Sequence, residues 1–340
     1  MVNERIVNKI NSFPRFSLIK NQTPIHSLEN MSRKLNIDLK IKRDDLTGLA
    51  AGGNKTRKLE FLIGEALCKK AEIVLTAGWS HSNHALQTAA ASGRAGLKSI
   101  LFLKGTGAYR GSLFLDYLLG CEIKLFDVPG SSSLVPIMQK EAEKLKAIGE
   151  KPFVIPVGGS NDVGALGYVL GAIEIAGQCN KMEWQPDFIV FPTSSGGTHA
   201  GIFVGVKESL PNAKILGIGV GDNAEKLEKS VSDIVRNLNK LLAMSSFSEK
   251  NLKETFRFGY GFQNYGDIHP CVISLIAEFA QKEGIFLDPV YTGKAFLGLE
   301  DLVLKREIPP KSRVLFIHTG GLSSLFQYEE ELVAFLKKNL

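Results

Sequence analysis

Cysteine is scarce and dispersed in this chain. Cys68, Cys121, Cys179 and Cys271 are the four in 340 residues, and none forms a C-x-x-C pair. That excludes a disulfide framework and a thiolate zinc site, and leaves the four as buried thiols. The six histidines are scattered as well. His81 and His84 stand three apart with no acidic or cysteine partner nearby, so no metal is expected. Apolar residues make up 44% of the chain, yet no run reaches the roughly 18 that a membrane span needs. The opening Met1-Val2-Asn3-Glu4-Arg5 lacks the basic-then-apolar layout of a signal peptide, which places the chain in the cytoplasm. The net charge of +6 is spread with both signs mixed. No basic stripe is interleaved with aromatics, so no nucleic-acid partner is expected, and the positive excess suits small anionic ligands. Internal repeats and low-complexity tracts are also missing.

Present instead is a regular alternation. Short apolar runs such as 73–76, 99–103, 122–126 and 153–156 are separated by longer amphipathic stretches, and a second series follows at 188–191, 215–218 and 314–318. This is the pattern of βα units, and the fold class is α/β with open twisted sheets and helices on both faces. Two strand series in a chain of this length imply two domains. Because Leu39-Lys40-Ile41-Lys42 precedes both series, the first is read as an insertion into the second. The expected division is a large domain from residues 1–53 and 167–340 and a small inserted domain from 54–166. The charged stretch 225–254 reads as helix and calls for no chemistry.

The most informative segment is Gly52-Gly53-Asn54-Lys55-Thr56-Arg57-Lys58-Leu59-Glu60, directly after Lys42-Arg43-Asp44-Asp45-Leu46-Thr47-Gly48. Lys55, Arg57 and Lys58 crowd the start of a helix, where positive charge opposes the macrodipole unless an anion or a lowered amine pKa compensates. Paired glycines in front let backbone approach a bound group. Lys55 is therefore the candidate for covalent chemistry with a carbonyl cofactor, the competing reading being a plain solvated cation. A second segment, Thr193-Ser194-Ser195-Gly196-Gly197-Thr198, follows an apolar strand and precedes a helix, the arrangement that aims backbone N–H groups at a phosphate. It lacks the spacing of a nucleotide P-loop or a dinucleotide site. A phosphate on something smaller fits, and so does a tight strand-to-helix turn. A third, Thr76-Ala77-Gly78-Trp79-Ser80-His81-Ser82-Asn83-His84, again ends a strand. Ser82 and the first-turn N–H groups can hold a carboxylate and Asn83 can reach a cofactor oxygen, although both also serve as ordinary N-caps. Near the C-terminus, Asp288-Pro289-Val290-Tyr291-Thr292-Gly293-Lys294 and His318-Thr319-Gly320-Gly321 complete the set. In the second of these a hydroxyl is followed by two glycines that leave room for a flat ring. A reactive lysine, a non-nucleotide phosphate cup, an amide for a phenolic oxygen and a hydroxyl for a ring nitrogen together describe pyridoxal 5′-phosphate.

With these motifs, from about Phe13 to Tyr328, the chain resembles the family of D-cysteine desulfhydrase and 1-aminocyclopropane-1-carboxylate deaminase. The resemblance implies a fold type II (tryptophan synthase β-like) architecture, a homodimer and a small amino-acid substrate. It implies that Lys55, seated after Asn54, forms the imine with the cofactor, that Asn83 meets the 3′ oxygen, that Ser194, Ser195, Gly196, Gly197 and Thr198 hold the phosphate, and that Thr319 meets the pyridine nitrogen. Ser82 is expected at the substrate carboxylate, with Trp79, His81, His84 and Thr292 around the substrate. Tyr291 and Tyr260 are expected near the reacting carbon.

Deaminases of this family typically carry Glu after the tyrosine of D-P-V-Y and Leu before the paired glycines, where this chain has Thr292 and Thr319. Both differences point to the desulfhydrase branch. The family usually reads Gln-Ser-Asn-His followed by Arg, whereas here His81 and Leu86 stand in those places and Trp79 is unexpected. The expected reaction is β-elimination, with D-cysteine giving pyruvate, ammonia and sulfide. The alternatives are 1-aminocyclopropane-1-carboxylate deamination, elimination from cysteate or chloroalanine, and a non-catalytic pyridoxal-phosphate or amino-acid binding protein. A nucleotide-dependent dehydrogenase is disfavoured by the missing dinucleotide fingerprint.

Overall fold

A computed structural model describes residues 4–339 except 106, 108, 222, 245–247 and 263–265. Ten strands among these residues form two sheets: β1 (Ile25–Ser27), β2 (Asp38–Lys42), β3 (Ile73–Trp79), β4 (Lys98–Lys104), β5 (Glu122–Phe126), β6 (Pro152–Val154), β7 (Phe188–Thr193), β8 (Lys214–Gly219), β9 (Phe256–Arg257) and β10 (Arg313–Ile317). The larger sheet runs β1-β2-β10-β7-β8-β9 and the smaller β5-β4-β3-β6. Every pairing is parallel except that of β1 with β2, at the edge of the larger sheet.

The apolar runs are continuous because both faces of the larger sheet are covered. Ile189, Phe191, Leu315 and Ile317 point into a core built with helices Asp162–Lys181, Gly197–Ser209 and Ala224–Leu241. Their neighbours Phe188, Val190, Val314 and Phe316 point the opposite way, into a core with helices Pro270–Glu283 and Thr292–Leu304. The period of two along each strand thus feeds two separate cores. The smaller sheet is sandwiched likewise, with Ile73, Leu75 and Phe102 on one side and Leu101 and Leu103 on another.

The chain leaves the larger sheet after β2, builds all four strands of the smaller one, and returns at β7. Residues 53 and 54 lie just before helix Lys55–Cys68, while residues 166 and 167 lie inside helix Asp162–Lys181. The latter helix packs on both Lys55–Cys68 and Gly197–Ser209, where Gly167 abuts the Arg57 carbonyl and Gly201 abuts Ala165. The carboxyl ends of β3, β7 and β10 carry the three motifs of interest, where parallel sheets place their ligands.

Candidate active site

Lys55 is the first residue of helix Lys55–Cys68, and its position is fixed from several sides. Gly52 and Gly53 have φ of 73° and 130°, a region costly for any other residue. A Cβ on Gly53 would stand 2.6 Å from Asn83 Nδ2 and 2.8 Å from the Thr319 carbonyl oxygen. Asn54 N–H donates to the Thr319 carbonyl at 3.0 Å, so the lysine segment is stitched to the threonine-diglycine turn. Thr47 Oγ1 accepts from Gly53 N–H at 2.9 Å.

The rest of the helix start is accounted for by buried charge. Arg57 donates from Nε and Nη2 to the two Asp44 oxygens, both at 2.8 Å, and from Nη1 and Nη2 to Glu174 at 3.0 and 2.9 Å. Tyr168 Oη also donates to Asp44, at 2.6 Å. Burial alone would push the Asp44 carboxyl up, but the Arg57 guanidinium beside it holds it well below the usual carboxylate range. Lys42 closes the cluster with a 2.5 Å contact to Glu174. Such a network is costly to break on one side, about 3–5 kcal/mol, because it leaves a buried charge uncompensated. Glu60, one turn on, accepts from the Leu18 and Ile19 N–H groups and from Arg15. The cations that read as electrostatically misplaced are therefore of two kinds: Arg57 is neutralised, and Lys55 and Lys58 are not.

Lys55 is partly open to the cavity, and burial of its amine lowers its pKa to about 8. Lys58, completely buried, donates to the Gly158 carbonyl oxygen and reaches Ser160 Oγ at 3.5 Å. Burial, and then the charge of Lys55, hold its pKa well below the ordinary value. Three residues on from Lys55, Lys58 shares its helix face but lies behind the described lining residues, tied to the segment Gly158 to Ser160.

The glycine loop continues β7 into helix Gly197–Ser209, whose N-terminus opens on the same cavity. Gly196 has φ of 92°, and a Cβ on Gly197 would stand 2.9 Å from Ser160 Cα. Ser160 ties the loop down by donating to Ser195 Oγ at 2.8 Å and accepting from Gly197 N–H at 3.2 Å. Asn54 Nδ2 donates to Thr198 Oγ1 at 2.9 Å, linking the lysine and the loop directly. Ser82 does cap helix Asn83–Arg94, accepting from Ala85 N–H at 3.2 Å, and it lines the cavity as well.

The cavity these elements enclose is about 780 Å³, inside the roughly 300–1,000 Å³ range of small-molecule sites. Lys55, Ser82, Asn83, Tyr291 and Thr319 converge on it, with Ser194, Ser195, Gly196 and Thr198 at the loop side and Trp79 and His84 also on the wall. His84 is held by Thr76, Nε2 to Oγ1 at 2.8 Å. Four expected residues lie outside the described lining, namely Gly197, which starts the helix beneath the loop, Tyr260, Thr292 and His81. Tyr260 is turned away, its hydroxyl donating to Asp301 at 2.5 Å while its ring packs on the large-sheet core. Thr292 is fully buried behind the wall, where its hydroxyl donates to Asp288 Oδ1 at 2.6 Å. The two Asp288 oxygens also accept from the Val290, Tyr291 and Thr292 N–H groups, so Thr292 serves the turn that presents Tyr291. His81 packs against Trp79 with the rings tilted by 39°, at 5.6 Å between centroids, and meets Tyr328 edge-on at 5.9 Å. Burial lowers its pKa to about 4, so it is neutral.

Further residues line the cavity that were not expected there. Lys226 and Ser230 come from the stretch 225–254 read as chemically idle, in the first two turns of helix Ala224–Leu241, and Asn223 is the N-cap just before it. Their signal was Asn223, an N-cap just past the end of β8 that accepts from Lys226 N–H. Lys104 lies 4.1 Å over the Trp79 ring at the ends of β4 and β3.

Two observations test whether pyridoxal phosphate fits here. Asn83 Oδ1 and Thr193 Oγ1 are buried side-chain atoms on the cavity wall with no hydrogen-bond partner, and such atoms call for a polar ligand. Among the described residues the lining holds Lys55, Lys104 and Lys226 and neither Asp nor Glu, which favours an anionic occupant. The residues fit the cofactor.

The comparisons with known proteins agree. The model of a family described as pyridoxal-phosphate dependent enzyme matches residues 16–320. A Pyrococcus abyssi protein provisionally named 1-aminocyclopropane-1-carboxylate deaminase is 42% identical over 96% of this chain and 97% of its own. A D-cysteine desulfhydrase from Klebsiella pneumoniae is 38% identical over 96% of this chain and 99% of its own. A crystal structure of an ACC deaminase homologue superposes with a TM-score of 0.92 at 42% identity, covering 97% of this chain and 99% of that one.

Proposed function

We propose that this chain, which belongs to the pyridoxal-phosphate dependent enzyme family, eliminates the β-substituent of a small amino acid, with D-cysteine converted to pyruvate, ammonia and sulfide. When bound, pyridoxal phosphate supplies the electron sink for charge that develops at Cα. Lys55 Nζ would hold the cofactor through its aldehyde and would take the Cα proton; an amine pKa of about 8 suits both duties. The loop Ser194 to Thr198 would hold the phosphate, with Gly196 and Gly197 clearing its approach. Asn83 would face the phenolic oxygen. Ser82 and the first turn of its helix hold the substrate carboxylate next to Trp79, and Tyr291 hands a proton to the departing sulfur.

The choice of elimination rests on one observation: the polar groups that Thr319, Ser82 and Tyr291 bring to the cavity are hydroxyls, and no carboxylate stands among its described lining residues. Thr319 would offer the ring nitrogen a hydroxyl rather than an acid, and a nitrogen left unprotonated in that way would suit prompt loss of a good leaving group. Opening a cyclopropane asks for an acid at that place. The Thr292 half of the sequence argument carries no weight here, because that side chain is bound to Asp288 behind the wall. Deamination of 1-aminocyclopropane-1-carboxylate is the second reading, favoured by the name of the 42%-identical Pyrococcus abyssi relative. A panel of small D- and L-amino acids assayed for 2-oxo acid and ammonia separates the two. We expect D-cysteine or a close β-substituted analogue to be consumed faster than the cyclopropane substrate, and the opposite preference would overturn this assignment.

We further place the enzyme in the cytoplasm, in keeping with four free cysteines. We take residues 54–166 as an inserted unit on the larger one. A homodimer is proposed through the outer face of helices Gly111–Leu118 and Leu322–Gln327, which leaves Phe114, Tyr117, Leu118 and Phe326 from 43% to 68% exposed.

A further inference from the structure

Part of the cavity wall has no duty in the reaction proposed above. It comes from the end of β4 and from the turn that leads into helix Leu134–Ala147, and it consists of Lys104, Pro129, Ser131, Ser132, Val135 and Met138. Lys104 is its charged member. In the parallel register of the small sheet Lys104 stands beside Trp79, and its ammonium lies 4.1 Å over the Trp79 ring. It also donates to the Pro129 carbonyl oxygen at 2.7 Å, which ties it to the turn that carries Ser131 and Ser132. An ammonium has three hydrogens. One carbonyl and one ring face leave a donor to spare, and no Asp or Glu stands among the described lining residues to receive it. Val135 and Met138, on the first turns of the helix that follows, add apolar wall.

This part of the wall joins the substrate position directly. Ser82 N–H donates to the Trp79 carbonyl oxygen at 2.9 Å, so the serine assigned to the α-carboxylate and the ring that carries Lys104 belong to one turn. On the elimination reading, on which this inference rests, the substrate amine goes to the cofactor and its α-carboxylate to Ser82. The β-substituent is the arm left to extend. A cation, hydroxyls and an apolar surface together suit an arm of methylene groups with an anionic end.

We propose that the enzyme also accepts β-thio amino acids longer than cysteine whose sulfur carries an anionic tail, and that Lys104 selects for the charge of that tail. S-carboxymethyl-D-cysteine is the simplest such compound. Its Cβ–S bond breaks with the electron pair leaving on sulfur, which takes a proton, while the Cα proton goes to Lys55. One water then hydrolyses the three-carbon remainder. Substrate and water give pyruvate, ammonia and thioglycolate, with no oxidant or reductant consumed.

The test sets this compound against S-carbamoylmethyl-D-cysteine, which has the same shape and no charge on its tail, using the cofactor-loaded full chain. Binding is read from the change in cofactor absorbance on rapid mixing, and turnover from pyruvate and released thiol. The wild type should prefer the carboxymethyl compound by about tenfold, the scale of one charged hydrogen bond. Lys104→Gln should bring that preference close to unity through KM rather than kcat, and Lys104→Arg should keep it. Should Lys104→Gln misfold, salt supplies the second readout, because the wild-type preference should shrink as added salt screens the pair. Equal use of the two compounds by the wild type, a preference that survives Lys104→Gln, or one indifferent to salt would overturn the subsite. Charge-selective binding with no pyruvate from these compounds or from D-cysteine would support the subsite and overturn the elimination reading instead.

Discussion

At the scale of single residues, the chain spends its buried charge unevenly. Arg57, Asp44, Glu174 and Lys42 compensate one another, whereas Lys55 and Lys58 are left to lose protons. A third case lies outside the site. Asp116, on helix Gly111–Leu118, is buried with neither carboxyl oxygen hydrogen-bonded, and burial raises its pKa to about 8. Its native pKa lies above the unfolded value of about 3.9, so between those limits the folded state binds a proton that the unfolded state lacks. Stability should then fall as pH rises from about 4 to 8, by about 1.4 kcal/mol per unit from this group alone. Asp116→Asn removes the titration. Chemical denaturation across that range should show a flatter profile for the variant and a gain over wild type at pH 8; parallel profiles would mean that Asp116 is solvated or paired in solution.

Elements were legible in the sequence to different degrees, for physical reasons. Central parallel strands such as β7, β8 and β10 declared themselves because both faces are buried and the apolar run is continuous. The edge strand β1, with pattern Ile-His-Ser and two exposed residues, gives no such signal. The site motifs sat where they were expected, at strand ends, because a helix start after a parallel strand has a local signature. What pairs with what was not local. Arg57 meets Glu174 across 117 positions and Asn54 meets Thr198 across 144, and no spacing rule in one sequence states that. Thr292 and Tyr260 show the opposite failure. Motif position suggested a place near the chemistry, but one hydroxyl was claimed by Asp288 and the other by Asp301, within the local turn and a neighbouring helix. Lys226 and Ser230 were missed because charge and helical period dominated the stretch, and only its first two turns reach the cavity.

At the scale of the whole molecule, the cleft carrying the site is lined from the ends of strands in both sheets. The exposed face of helices Gly111–Leu118 and Leu322–Gln327 lies one helical step from the Gly320-Gly321 turn that lines the cavity. Dimerisation there would stiffen the cavity wall. Light scattering should report a mass twice that of the 37.1 kDa chain, and Leu118→Lys with Phe326→Lys should halve it; an undisturbed dimer would place the interface elsewhere.

The central claim is that Lys55 is the atom through which this enzyme engages pyridoxal phosphate. Its most direct test is the absorption spectrum of the purified protein with added cofactor. The wild type should be yellow with an imine band stable to gel filtration, and Lys55→Ala should show no such band although the Ser194 to Thr198 loop still retains the cofactor. A wild-type protein that stays colourless with cofactor present, or a band that survives Lys55→Ala, would contradict it.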